Sequence, residues 1–73
     1  YVALYYTDIN SNVAAINRCK YIIENYPNSA PIPDALHLMA FNYNLINAND
    51  LATDAMEILN SSYPNYSPSY SLK

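Results

Sequence analysis

The tripeptide Tyr26-Pro27-Asn28 returns as Tyr63-Pro64-Asn65, 37 residues further along. The same shift lays Ala15 on Ala52, Cys19 on Met56 and Ile22 on Leu59. These positions in register make an internal repeat, and a repeat of this length constrains the fold more than any composition does. In each copy the apolar residues before the Pro fall at helical spacing: Ala15, Cys19, Ile22 and Tyr26 at i, i+4, i+7 and i+11. The Pro then ends the helix, because the residue before a Pro is pushed out of the α region. Three helices are predicted. One runs from Val13 to Asn25 after the N-cap candidates Asn10-Ser11-Asn12. A second starts between Pro31 and Asp34 and breaks at Asn47-Ala48-Asn49. A third, capped by Asp50, runs from Leu51 to about Ser62.

Composition narrows the function classes. The 73 residues allow one small domain. Glycine is absent, which excludes phosphate-cradling loops, dinucleotide fingerprints and nucleophile elbows. One Cys and one His cannot complete a four-ligand zinc site, nor can one Cys form an internal disulfide. No metal or cofactor is expected. Only three Lys or Arg are present and the net charge is -3, so no nucleic-acid surface is expected. No apolar run reaches the roughly 18 residues that span a bilayer. The chain opens on Tyr1 without a signal peptide and reads as a piece of a longer protein. No Ser–His–acid spacing suggests catalysis, so the expectation is not an enzyme.

The repeat resembles the tetratricopeptide repeat, a 34-residue helix pair. Counting from Pro33, Leu36, Met39, Ala40 and Tyr43 match its first helix, and Ala52, Met56, Leu59 and Pro64 its second. Ala3, Tyr6, Ala15, Cys19, Ile22 and Pro27 match an earlier, truncated copy. The expected fold is therefore an all-α antiparallel helix-turn-helix solenoid of about two tetratricopeptide-like repeats. Residues 1–29 form a partial repeat, 30–66 a complete one, and 67–73 a frayed tail. Small residues at Ala40 and Ala52 suit a close approach of helix backbones. The N-terminal edge of such a stack exposes apolar surface to a neighbouring repeat.

A closer resemblance lies in Tyr5-Tyr6, Val13-Ala14-Ala15-Ile16-Asn17-Arg18, Ile22 through Ser29, Asp34-Ala35-Leu36, Leu38-Met39 and Tyr43. Over about residues 1–66 the chain resembles the C-terminal repeats of the BamD, or ComL-like, family of outer-membrane lipoproteins. The resemblance implies a scaffold at the periplasmic face of the bacterial outer membrane. It implies docking to BamA-like POTRA domains, alongside other lipoproteins of the assembly machine. It also implies membrane attachment only through an N-terminal lipidated Cys, which Cys19 does not match. Arg18 matches the family's Asn-Arg pair. With Asn17 and Lys20 it is the candidate partner-binding set, because an Arg forks onto a partner carboxylate. An intramolecular pair with Asp8, Glu24 or a residue of a preceding repeat is the alternative. A generic tetratricopeptide module that binds an extended peptide in its concave groove is the second functional reading.

Other features have plainer readings. Asp50, Asp54 and Glu57 form a solvated acidic face. His37 is expected on the surface, and Cys19 as a buried inert thiol. Tyr6, Tyr26, Tyr43 and Tyr63 hold repeat positions, while Tyr66 and Tyr70 fall in the tail.

Overall fold

The computed structural model describes residues 5–7, 11–27 and 29–68. Residues 5–7 are helical. Three 14-residue helices follow: α1 (Asn12–Asn25), α2 (Ile32–Leu45) and α3 (Asn49–Ser62). The fold is all-α and tetratricopeptide-like, with α1 and α3 both packed on α2.

The sequence repeat is also a backbone repeat. Tyr26 ends α1 at φ −135° and ψ 58°, and Tyr63 ends α3 at φ −135° and ψ 64°. Four bonds recur at the same shift of 37 residues. Ser11 N–H donates to Tyr6 O and Ala48 N–H to Tyr43 O, both at 2.8 Å. Ala15 donates to Ser11 O at 3.0 Å and Ala52 to Ala48 O at 3.1 Å. Tyr26 donates to Ile22 O and Tyr63 to Leu59 O, both at 2.8 Å. Ser29 donates to Tyr26 O at 3.1 Å and Tyr66 to Tyr63 O at 3.0 Å. Helix entry, helix exit and the turn after it are therefore built alike in both copies.

The helix starts differ from expectation. Ser11 is the N-cap of α1, but its side chain makes no capping bond. Asp50 is not a cap: Ala48 takes that place, and Asp50 sits in the first turn of α3, where its charge suits the helix dipole. Pro33 is accepted near the start of α2, where backbone N–H groups lack helical partners. At the other end of α2 the chain must reverse without glycine. Asn47 takes the left-handed conformation, φ 64°. Its N–H reaches Asn44 O at 3.1 Å while Ala48 N–H reaches Tyr43 O at 2.8 Å, the paired bonds of a Schellman ending.

Three apolar clusters form the core. Ile16, Ala40, Tyr43, Ala52 and Ala55 make the first, Cys19, Ala35 and Leu38 the second, and Ile32, Leu36 and Leu59 the third. Ile22, Ile23, Met39 and Met56 are half-buried between them. Ala15, Ala40 and Ala52 are buried with almost no exposed surface. Pro27 and Pro64 are exposed and act through the backbone. Tyr66 is the part of the C-terminal stretch that packs against the core. Tyr66 is half-buried against the third cluster, and its hydroxyl donates to Asp34 Oδ1 at 2.5 Å. Tyr70 lies outside the described residues.

Candidate partner-binding surface

An α-helix turns about 100° per residue, so sequence position fixes where each α1 side chain leaves the axis. Ala15, Ile16, Cys19, Ile22 and Ile23 fall on one side and pack into the core. The remaining arc is exposed apart from half-buried Ala14. Going round it, the order is Lys20, Val13, Glu24, Asn17, Tyr21, Asn25 and Arg18, all exposed. The three residues picked from the sequence thus span the whole arc. Arg18 stands at one border, Lys20 at the other and Asn17 between them. They cannot converge on a single carboxylate.

What Arg18 does meet is an aromatic ring. Its guanidinium carbon lies 5.3 Å from the centroid of Tyr21. Tyr21 in turn meets Tyr26 edge to face, with ring centroids 6.2 Å apart and an interplanar angle of 63°. Asn25 Nδ2 donates to Tyr21 O at 2.9 Å, and Ser29 Oγ donates to Tyr26 O at 2.7 Å, so the backbone under both rings is tied down. Among the described residues no ion pair involves Arg18. Glu24, one of its sequence-level alternatives, lies on the far part of the arc, and Asp8 lies outside the described residues. Tyr21 had no role in the sequence reading, although its i+3 spacing from Arg18 was a usable signal. Tyr26 holds its repeat position through the backbone, while its ring stands in solvent, 55% exposed.

The repeat-related arc of α3 has the opposite character. Asp50, Asp54 and Glu57 occupy the places of Val13, Asn17 and Lys20, and Ile58 that of Tyr21. All four are exposed. Arg18 corresponds to Ala55, which is buried in the first core cluster. Among the described residues no group of three His, Cys, Asp or Glu side chains could hold a metal ion.

Two buried or half-buried polar features were not foreseen. Asn42 has no exposed surface; its Nδ2 donates to Thr7 Oγ1 at 2.9 Å and to Leu38 O at 2.8 Å. Its Oδ1 has no partner among the described residues. With 11 Asn in the chain, nothing marked this one. His37 is half-buried rather than on the surface, with its ring 5.8 Å from that of Tyr66. Burial lowers its pKa, and the nearby Asp34 charge partly opposes the shift. Burial also pushes the Cys19 thiol up to about 12, which removes the thiolate that any thiol chemistry needs.

Antiparallel helices whose ends recur in register, with their varied chemistry on an open helix arc, define a helical-repeat protein of the tetratricopeptide class. Among the described residues no helix is long and apolar enough to cross a membrane. The chain belongs to the YfiO family of outer membrane lipoproteins, whose profile matches residues 1–65, and is thus a protein associated with the outer membrane. It is 32% identical over 63 residues to the outer membrane protein assembly factor BamD of Neisseria gonorrhoeae. That match covers 86% of this chain and 24% of the relative, so the chain spans about a quarter of the relative's length. No solved structure gives a significant match.

Proposed function

We propose that this chain is a non-enzymatic docking scaffold of the machinery that assembles β-barrel proteins in the outer membrane. It engages the periplasmic POTRA domains of a BamA-like subunit through the exposed arc of α1. The observation that carries the reading is family membership across residues 1–65, together with an assembly factor as relative. The geometry suits the role. The arc offers Tyr and Arg, the residue types that dominate binding energy at interfaces, on a helix whose opposite side is locked in the core. Arg18 is the contact to a partner carboxylate, Asn17 a neighbouring hydrogen-bonding group, and Lys20 a peripheral charge at the far border. Attachment to the periplasmic face of the membrane comes from the lipid anchor of the family.

The test compares the full chain with its Arg18→Glu variant, titrated by calorimetry against POTRA domains of the same organism. Circular dichroism confirms that both are folded. Arg18→Glu is expected to abolish measurable binding, because it leaves two carboxylates facing each other. Equal binding by both would return Arg18 to a purely local role. A folded wild type that binds only extended peptides would replace this reading with that of a peptide-groove module.

A further inference from the structure

The contact between Arg18 and Tyr21 carries more than a second name on the surface. A guanidinium within about 6 Å of a ring centroid is attracted to the ring face, and the planar group stacks there as an ammonium does not. Tyr21 is itself braced by the edge of Tyr26. We infer that Tyr21 is a positioning and specificity-determining residue of this docking face. Its ring holds the Arg18 guanidinium in place for a partner carboxylate, while the exposed rings of Tyr21 and Tyr26 receive an aliphatic side chain beside that carboxylate. The inference rests on the proposed docking role of Arg18 and adds how that residue is presented and what must flank its partner.

The occupant is a folded protein surface bearing one carboxylate next to an aliphatic side chain. Charge argues for it. Both cations of the first 72 residues, Arg18 and Lys20, lie on α1. The equivalent arc on α3 carries Asp50, Asp54 and Glu57. An acidic partner is therefore accepted by the first repeat and repelled by the second, although the two backbones are alike. The repeat-related position of Tyr21 is Ile58 and that of Arg18 is Ala55, so the stack exists in only one of the two copies. Rigidity argues for it as well. A Tyr ring supplies broad contact area with few rotatable bonds, and a guanidinium already stacked loses less freedom on binding.

The experiment uses the full chain against the same POTRA domains, with five forms compared by calorimetry: wild type, Arg18→Gln, Tyr21→Leu, Tyr21→Phe and the Arg18→Gln/Tyr21→Leu double variant. In parallel, the Arg18 side-chain protons are followed by NMR in the free protein. Tyr21→Phe keeps the ring face and is expected to bind within about twofold of wild type. Tyr21→Leu is expected to bind about tenfold more weakly, the scale of a desolvated cation–π contact. In the Arg18→Gln background the same Leu change is expected to cost about twofold or less, because the group it positions is gone. The upfield ring-current shift of the Arg18 side chain should vanish in Tyr21→Leu and persist in Tyr21→Phe. Fully multiplicative losses in the double variant would overturn the positioning role, and so would equal losses from Phe and Leu. A wild type that does not bind POTRA domains removes the proposed function instead. The NMR shift then decides the positioning claim alone, and its absence in the wild type overturns it.

Discussion

Asn47 stands at φ 64°, a region that costs an ordinary L-residue about 1–2 kcal/mol and glycine almost nothing. Asn is the best non-glycine choice there, and this chain has no glycine to use. Asn47→Gly is expected to hold or raise stability by up to about 0.5 kcal/mol, while Asn47→Ala should lower it by about 1 kcal/mol. Urea midpoints of the two variants would check this, and Ala matching Gly would contradict it. His37 gives a pH-dependent counterpart. Its folded pKa lies below the ordinary value, so near and below pH 6.5 the unfolded chain binds more protons than the native one. The native advantage is present above the unfolded pKa and is lost as pH falls through the lowered folded value. Wild type should therefore lose more stability between pH 7 and pH 5 than His37→Gln, whose carboxylates are otherwise the same. Parallel denaturation curves of the two proteins at both pH values would speak against this account.

Helix α3 shows which positions matter for holding the fold. Leu59 is 2% exposed in the third cluster, while Ile58, its neighbour, is 53% exposed. Leu59→Ala is expected to cost about 2–5 kcal/mol and Ile58→Ala less than about 0.5 kcal/mol. Chemical denaturation distinguishes them, and equal losses would mean that the register of α3 is wrong. That register was legible beforehand, because apolar periodicity and Pro both report directly on helix faces and helix ends. Helix starts were less legible. Asp50 was chosen as a cap from residue type alone, whereas the cap is placed by the Schellman turn before it, which needs coordinates to see. Asn42 shows another limit. A buried amide paired with Thr7 depends on a contact 35 residues away, and local pattern carries no trace of it. The proposed partner-binding residues divide the same way. Arg18 stands out in the sequence through its Asn-Arg match, but its ring partner and the spread of Asn17 and Lys20 around the helix emerge only from geometry.

The molecule as a whole repeats its backbone while changing its edges. In the first copy Ile16, Cys19 and Ile23 face α2, the helix that follows, and all three are buried or half-buried. Their counterparts in the second copy are Thr53, Met56 and Asn60. Thr53 and Asn60 are exposed, and only Met56 remains half-buried. The side of α3 that corresponds to a docking seam has thus lost two of its three apolar contacts. Polar substitution of this kind disfavours the docking of another copy on that side of the helix. The acidic arc beside it, Asp50, Asp54 and Glu57, adds like-charge repulsion between copies that meet there. Restoring the seam should reverse the effect. The double variant Thr53→Ile/Asn60→Ile recreates the spacing that packs α1 on α2, and it leaves the core clusters untouched. It is expected to fold with helix content equal to wild type and to self-associate, seen as a weight-average mass that rises with concentration in sedimentation equilibrium. Added salt should strengthen the association by screening the acidic arc. A double variant that stays monomeric up to high concentration would show that shape, not polarity, keeps copies apart on this side of α3.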